Sequence, residues 1–454
     1  MEKVKFIDLF AGMGGIRLGF EAAFGDMGIS TECVMTSEIK PAAIKTLTHN
    51  FKHHFFVGDI TKISMDQIPD FDFLLGGFPC QPFSSGGKRH GFMDTRGTLF
   101  FNIERILAEK KPYGFILENV DGLVRHDLEH KKDDIGRTLM TILHNLSALD
   151  YEVNFKVLDA SDFGLPQARK RIYIVGTKAE KIKLDGLKKN KKKLSEILEN
   201  GLPVLQTRFT KLLLSHFKLE NLYGKSIKDK RGGSNNIHSW DIGLKGKISD
   251  DQSMLLSKLF KERRKKNWAV QIGIKWMDGM ALTTKQISTF YKSECLQEML
   301  DDLVAKGYLK FEHPKKIVTE LTDRGVKTKR VQDTSLPKGY NIVSGKLSFE
   351  INKVLDPAHI APTMVATDMA RFAVPDGEGL RRISLREGLR MFGYPEAYEL
   401  PVSVNDGYDL LGNTVAVNVI KAISERIADS FIKNSEILKK NEFTYSKSSP
   451  VNFL

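Results

Sequence analysis

The stretch Val4-Lys5-Phe6-Ile7-Asp8-Leu9-Phe10-Ala11-Gly12-Met13-Gly14-Gly15-Ile16-Arg17 decides the fold. Its first half is an apolar run of strand length, its second half is a glycine-rich turn, and an amphipathic stretch follows. The reading is strand, tight turn, helix. Glycines at such a junction let backbone approach a ligand closely and leave amides free at a helix start. The spacing is not that of a dinucleotide site. After Gly12-x-Gly14 a glycine or alanine is needed where the chain has Arg17, and no GxxxxGK[ST] phosphate loop occurs. A dehydrogenase is thereby excluded, while a turn with no ligand stays open for this stretch taken alone.

Outward from the turn, short apolar runs alternate with amphipathic helices as far as residue 176, the pattern of a doubly wound α/β sheet. Strands are expected at 4–10, 32–37, 55–58, 71–76, 114–118, 153–158 and 171–176, the last two as a pair joined by a loop. A helix is expected over 41–50, with Pro41 in its first turn and Ala42, Ala43, Ile44 and Leu47 on its apolar face. Past residue 177 the alternation dissolves into a lysine-rich run, 178–193. The expected organisation is a first domain at 1–177, a second at 178–375, a return to the first at 376–432 and a mobile tail at 433–454. Within the return, one helix is expected from near Ile383 to Gly393. Another is expected from Val415 to about Ile432, opened by Leu411-Gly412-Asn413-Thr414-Val415.

Charge separates these domains. Residues 178–350 hold 36 basic and 20 acidic side chains, while the rest of the chain holds 33 basic and 36 acidic, so the whole excess of +13 lies in the second domain. A single lysine run is ordinary solvated surface, but an imbalance over a whole block favours a polyanionic partner, most simply nucleic acid. Within the block, Thr283-Thr284-Lys285-Gln286-Ile287 is a capped helix start, and Cys295, Met299, Leu300, Leu303 and Val304 line a second helix ending at Lys306-Gly307. A strand at 308–311 and a basic segment with Lys315, Lys316, Arg324, Lys327, Lys329 and Arg330 follow. Over about 280–330 the order is that of a winged helix-turn-helix, with a plain helical insertion as the alternative.

A chain of 454 residues, 41% apolar and 28% charged, has the balance of a soluble protein of two or three domains. No run approaches the ~20 apolar residues of a membrane-spanning helix, and the first residues do not resemble a secretory signal. A cytoplasmic address and no membrane partner are expected. Cys33, Cys80 and Cys295 lie far apart without CxxC or Cys/His clusters, which argues against disulfides and a structural zinc site.

Chemistry gathers where the strands end. Glu38 follows the second strand and Asp59 the third; beside the glycine turn, one can accept the two hydroxyls of a ribose and the other an exocyclic amine of adenine. Taken singly, each acid reads as a cap or surface group. The fourth strand delivers Gly76-Gly77-Phe78-Pro79-Cys80-Gln81-Pro82-Phe83-Ser84-Ser85-Gly86-Gly87-Lys88-Arg89, a cysteine between prolines at the start of a basic loop. Cationic neighbours favour the thiolate needed for attack. Cys33 and Cys295 read as inert apolar cysteines. Glu118 ends the fifth strand after three apolar residues, so it is either paired or raised in pKa, and a raised pKa suits a proton donor. Gln167-Ala168-Arg169-Lys170-Arg171 offers alternate arginines that can reach an anion or a carbonyl oxygen.

These blocks, 10–15, 77–84, 118–120, 167–171 and 412–415, resemble in order and spacing the motifs of the bacterial DNA (cytosine-5)-methyltransferases of restriction-modification systems. Arg96-Gly97-Thr98-Leu99-Phe100, Asp59-Ile60, and the stretch 381–394 with Arg386-Glu387 and Phe392-Gly393-Tyr394-Pro395 match further blocks. Ile39 stands where an aromatic is common, Thr414 replaces a frequent serine, and Thr363-Met364 replaces Thr-Leu.

The resemblance implies a Rossmann-like S-adenosylmethionine-dependent sheet with a basic target-recognition domain. It implies S-adenosyl-L-methionine, with no metal, held by Phe10, Ala11, Gly12, Gly15, Glu38, Ile39, Asp59, Ile60, Pro79, Leu99, Asn413 and Val415. Cys80 would add to C6 of a flipped-out cytosine, with Glu118 on the N3 edge and Arg169 and Arg171 on O2 and a nearby phosphate. Ser84, Ser85, Lys88, Arg89, Gln167, Thr363 and Arg371 would contact DNA, with 84–89 closing over its backbone. The implied partner is double-stranded DNA, with a monomer acting at the nucleoid and a cognate restriction endonuclease sharing the site without direct binding. A zinc deaminase would need His-x-Glu and Pro-Cys-x-x-Cys, which are missing. A winged-helix regulator with a degenerate enzyme half, and transfer RNA as substrate, remain the other readings.

Overall fold

The computed structural model describes residues 3–447 apart from 53–54, 79–97, 131, 230–234, 275–279, 323–324 and 344–348. The chain divides into two compact units. The first comprises Met1–Glu199, Pro357–Ala370 and Ile383–Leu454; the second comprises Asn200–Asp356 and Arg371–Arg382.

The first unit is built on a seven-stranded sheet of β1 (Val4–Leu9), β2 (Thr31–Ser37), β3 (Phe56–Val57), β4 (Phe73–Gly77), β5 (Gly114–Val120), β6 (Glu152–Asp159) and β7 (Lys170–Thr177). Their order is β3-β2-β1-β4-β5-β7-β6. β1 to β5 run parallel, while β7 is antiparallel to both β5 and β6. All seven expected strands are present. The central ones, β1, β4 and β5, were visible because a strand buried on both faces reads as a continuous apolar run.

Alternate residues feed two cores, as the strand period of two requires. Phe6, Phe73, Leu75 and Ile116 face one side, packed with α1 (Gly15–Asp26) through Phe20 and Phe24 and with the last helix through Ile420, Ile423 and Ile427. Ile7, Leu9, Leu74, Phe115 and Leu117 face the other, packed with α3 (Thr98–Lys110) through Ile103 and Leu107 and with α4 (Arg137–Ala148) through Leu139 and Ile142. Between β2 and β3 lies α2 (Pro41–Asn50), with Pro41 at its start and Ala43 and Leu47 buried. α1 approaches the last helix so closely that a Cβ at Gly19 would lie 2.6 Å from Ile420 Cβ and 2.8 Å from the Val417 carbonyl oxygen.

The expected boundaries shift. Residues 178–199 belong to the first unit because Ile182 and Leu184 are buried in its core while Lys181 and Lys183 point outward. The stretch is further pinned by the Leu194 and Ser195 amides, which donate to the carbonyls of His359 and Pro357. Residues 357–370, expected in the second domain, also belong to the first unit; 371–375 lie in the second as expected, and 376–382 stay with them rather than starting the return. The pair Phe372–Asp376 and Gly379–Arg382 forms one edge of a five-stranded sheet with Lys353–Val354, Ser226–Ile227 and Asn236–Ile237.

The return helix Leu385–Phe392 is capped at Ser384, whose hydroxyl accepts from the Glu387 amide, and ends at Gly393 in the left-handed region. Residues 411–413 close the helix Val404–Asn413 instead of opening the next one. The last helix, Val417–Lys447, runs past the expected end at 432 into the expected tail.

In the second unit, Phe209, Leu213, Ile227, Ile351, Val354 and Leu380 form one core. Another joins the helices Asp250–Glu262, Lys266–Gln271, Thr284–Ile287 and Leu296–Ala305 through Leu255, Leu259, Trp268, Ile287, Leu300 and Leu303. Leu309–Glu312 then pairs antiparallel with Gly339–Ile342. Between those two strands, Lys315–Thr322 and Gly325–Gln332 form an antiparallel hairpin.

Candidate active site

The parallel order reverses direction at β1, with β2 on one side and β4 on the other, and the loops leaving the carboxyl ends of β1 to β4 enclose a cavity of about 320 Å³. Such a switch point is where an open α/β sheet binds ligands. Eight of the sequence-predicted cofactor residues line it: Phe10, Gly12, Glu38, Ile39, Asp59, Ile60, Leu99 and Asn413.

The turn after β1 is held open by unusual backbone. Phe10 has φ 55°, Gly12 55° and Gly14 72°. For phenylalanine this left-handed conformation costs about 1–2 kcal/mol, and it is retained where the Ala11 amide donates to the Ser37 carbonyl at 3.1 Å. Strain of this kind concentrates at ligand sites. Glu38 organises the facing loop: Oε2 accepts from the Gly12 amide at 2.8 Å, and Oε1 accepts from the Ile39 and Lys40 amides, both at 2.8 Å. A carboxylate has about four acceptor positions, so it both fixes the turn and retains capacity for a hydroxyl.

Asp59 Oδ1 accepts from the Thr61 amide at 3.0 Å and the Thr61 hydroxyl at 2.7 Å, bonds that hold its carboxyl below the usual range and keep it ionised. It therefore caps a short turn, as the local reading allowed, while lining the cavity. Ile39 is 70% exposed at the cavity wall, an apolar side chain open to a flat ligand. Lys40, bridged to Asp409, and Asn413, whose Nδ2 donates to the Asp409 carbonyl at 2.8 Å, close the far side. Two carboxylates for hydroxyls and an amine, beside the apolar Phe10, Ile39, Ile60 and Leu99, fit an adenosine-bearing group.

Three predicted cofactor residues are not among those that line the cavity. Ala11 is almost fully buried under the turn, and Val415 is buried in the core. A Cβ at Gly15 would meet Val415 Cγ2 and the Tyr394 hydroxyl, each at 2.7 Å, so this glycine serves close packing. Pro79 lies outside the described residues, as do Cys80, Ser84, Ser85, Lys88 and Arg89. Sequence reasoning missed Met13, Ser37, Lys40, Ala43, Gly58, Gly77, Leu410 and Thr414 as lining residues. Ser37 and Gly58 immediately precede the two predicted carboxylates, and Leu410 sits one helical turn from Asn413, so adjacency was the available signal.

Beside the cavity, β4 and β5 end together, with Gly77 paired to Glu118. Glu118 is 8% exposed; burial raises its carboxyl pKa, opposed by Arg171 and Arg169. Arg171 Nε lies 3.2 Å from Glu118 Oε1. Asn119, which sequence reading did not single out, donates from Nδ2 to the Phe78 carbonyl at 3.0 Å and so anchors the strand end that leads into Pro79-Cys80.

Two predicted roles are corrected. Arg169 is only 3% exposed, and its guanidinium donates to the carbonyls of Met364 at 2.9 Å and Thr414 at 2.6 Å. It also stacks on the Phe392 ring. Burial lowers its pKa to about 10, and Arg171 adds to the shift. Arg169 is a clamp holding distant backbone rather than a catalytic group. Gln167 is fully buried with Nε2 on the Met391 carbonyl at 2.6 Å, so it is not a DNA contact. Thr363 donates to the Ala168 carbonyl at 2.5 Å, and Arg371 stands half-buried beside the strand Phe372–Asp376 in the second unit.

The profile of the C-5 cytosine-specific DNA methylases matches residues 4–429. The chain is 58% identical to Type II methyltransferase M.NlaIV of Neisseria lactamica and 57% identical to Type II methyltransferase M.NgoBV of Neisseria gonorrhoeae. In each case 94% of this chain and 99% of the relative are covered. It is 40% identical to Type II methyltransferase M.BanI of Aneurinibacillus aneurinilyticus, over 93% of this chain and 95% of that one. Among solved structures, the methyltransferase EhMeth of Entamoeba histolytica superposes with a TM-score of 0.53 at 16% identity, covering 95% of this chain and 99% of that one, which speaks for the fold alone. With the turn after β1, the β4 and β5 ends and the returning helices all in the order the motifs require, the chain belongs to the C-5 cytosine-specific DNA methylase family.

Proposed function

We propose that this protein transfers a methyl group from S-adenosyl-L-methionine to C5 of a cytosine within a specific duplex DNA sequence. We further propose that it is the modification enzyme of a restriction-modification pair, acting as a monomer in the cytoplasm. The observation that carries the reading is Glu118: a buried carboxyl, raised in pKa and facing Arg171, at the end of the strand beside the one that leads to Cys80. The relatives' description as Type II methyltransferases supports the restriction-modification context. Among the described residues no helix is long and apolar enough to cross a membrane.

Glu38 would hold a ribose hydroxyl of the methyl donor, Asp59 the adenine amine, and Phe10, Ile39, Ile60 and Leu99 the ring faces. When bound, that group supplies an electrophilic methyl. The cytosine must leave the helix because its ring carbons are inaccessible while stacked. The Cys80 thiolate forms a bond to C6, and the electron pair of the C5–C6 double bond becomes available at C5 as charge builds toward N3 and O2. Glu118, whose burial favours the protonated form, gives a proton to N3, and Arg171 stabilises O2. C5 takes the methyl as the methyl–sulfur bond of the donor breaks, which would leave S-adenosyl-L-homocysteine. Loss of the C5 proton to solvent then restores the double bond, breaks the sulfur bond and returns the N3 proton to Glu118.

Incubation with labelled methyl donor and mixed-sequence duplex DNA tests this. Label should appear at cytosine C5 with the wild-type protein and vanish with Cys80→Ala, and a 5-fluorocytosine duplex should trap a protein–DNA adduct. Turnover undiminished in Cys80→Ala would defeat the mechanism, and label entering transfer RNA but not duplex DNA would defeat the substrate assignment.

A further inference from the structure

The second unit contains the element order of a winged helix: the helix pair Thr284–Ile287 and Leu296–Ala305, a strand, and a hairpin as the wing. In that arrangement the second helix of the pair ordinarily enters the major groove. Here its composition forbids it. Leu296–Ala305 carries Glu298, Asp301 and Asp302 with no basic residue, and Glu298 and Asp301 lie on its exposed side together with Glu294 just ahead of it. Asp301 accepts from the Tyr340 hydroxyl at 2.8 Å and from the Gln297 amide at 3.0 Å, bonds that hold its carboxyl below the usual range and keep it charged. A helix presenting such a face would be repelled by phosphate.

The hairpin has the opposite character. Residues 315–332 hold six basic and two acidic side chains. Lys315, Lys316, Lys329 and Arg330 are all exposed, and Ile317, opposite Arg330 in the register, is 51% exposed. Lys316 pairs with Asp333 at 3.1 Å and Lys329 with Glu320, but surface pairs of this kind are weak and exchange readily for phosphate. A two-stranded ribbon is of marginal stability by itself, so one standing out with basic side chains on both faces is built for a partner.

Resting on the methyltransferase reading, we infer that the winged-helix portion of this chain meets duplex DNA through the hairpin Lys315–Thr322/Gly325–Gln332, as a clamp on the phosphate backbone, and not through the helix Leu296–Ala305. The hairpin then contributes affinity without sequence choice, because phosphate contacts position a protein and base contacts specify its site.

The test is duplex binding by the full-length protein between 50 and 200 mM salt, for wild type, the triple variant Lys315→Gln/Lys329→Gln/Arg330→Gln, the pair Lys315→Arg/Lys329→Arg, and Glu298→Gln. Each lost phosphate contact lowers the log–log salt slope by about 0.9, so three lost contacts should shrink the fall in affinity across that range about 40-fold. The methylated sequence should stay the same, while the arginine pair and Glu298→Gln should behave as wild type. An unchanged slope in the triple variant, with wild type still methylating DNA, overturns the hairpin assignment and leaves the enzyme reading intact. A severalfold gain of affinity in Glu298→Gln overturns it by placing the helix against DNA. A changed sedimentation state with an unchanged slope makes the hairpin a protein interface instead, and absence of both methylation and salt-dependent binding in wild type overturns both readings.

Discussion

Replacing Arg169 by methionine separates a clamp from a catalytic group. The side chain would stay apolar and similar in reach, but the Met364 and Thr414 carbonyls would lose donors that now sit at 2.9 and 2.6 Å inside the protein. A buried acceptor left without a partner costs about 1–3 kcal/mol, so two of them amount to roughly 2–6 kcal/mol. For a cooperative unit of this size each kcal/mol lowers the melting temperature by about 2–4 °C, and a fall of about 4–24 °C is expected. Arg171→Met should differ in kind. Its side chain is 13% exposed and its guanidinium faces Glu118 Oε1, 3.2 Å away, and donates to the Lys170 carbonyl. The turnover number should fall far more than the melting temperature, because Glu118 can take up a proton when its cationic partner is lost. Arg171 is the largest influence opposing the upward shift of Glu118, so its loss moves the Glu118 titration still higher and displaces the pH–rate profile upward. Differential scanning calorimetry and single-turnover methyl transfer on both variants decide the matter. If Arg169→Met melts as wild type yet loses turnover, its guanidinium acts on substrate and the clamp is wrong.

Asp8, on β1, is buried, and burial, opposed by Arg17 and reinforced by Glu21 and Glu38, raises its pKa to about 7. Because the folded value lies above the unfolded one, Asp8 favours the fold below about pH 4, and that contribution is lost as pH rises to about 7. Asp8→Asn should therefore gain on wild type by about 2–3 kcal/mol between pH 5 and pH 8, read as the difference of two urea-unfolding series; a constant difference would contradict the buried, neutral carboxyl. Gly19→Ala places a methyl 2.6 Å from Ile420 Cβ and 2.8 Å from the Val417 carbonyl oxygen. Overpacking of this sort costs about 1–3 kcal/mol, which outweighs the helix propensity gained, about 1 kcal/mol; a higher melting temperature would show that the two helices can separate freely.

The sheet was legible because parallel strands covered on both faces leave apolar runs that no surface constraint interrupts, and the cavity because its acids stand at strand ends. Other features left weaker traces. Residues 178–199 read as the start of the basic second domain, since Ile182 and Leu184 alternate with lysines and the period of two is drowned by charge. The helix Asp250–Glu262 escaped notice although Ser249 accepts from the Gln252 amide in a capping box. Gly15 and Val415 belong to matching motifs, yet their service is mutual packing, which a motif does not distinguish from ligand contact. Arg169 was misread for a deeper reason: its acceptors lie 195 and 245 residues further along the chain, and residue type says nothing of where a long side chain ends.

Those distant acceptors explain how one sheet tolerates an insertion of more than 150 residues. The segment Gln167-Ala168-Arg169 gathers the returning chain: the Ala168 amide donates to Ala361, the Ala168 carbonyl accepts from Thr363, Arg169 takes Met364 and Thr414, and Gln167 takes Met391. Near the departure point, Glu199 accepts from the Ser384 hydroxyl at 2.5 Å and its amide donates to Glu387, so the chain leaves the first unit beside the place where it finally comes back. Ends pinned close together make an inserted unit inexpensive in loop entropy. The same bonds that close the first unit around the gap also fix the strand on which, two residues later, Arg171 reaches Glu118. Segments of the insertion can then change without disturbing the Glu118–Arg171 pair, provided the Gln167-Ala168-Arg169 clamp is kept.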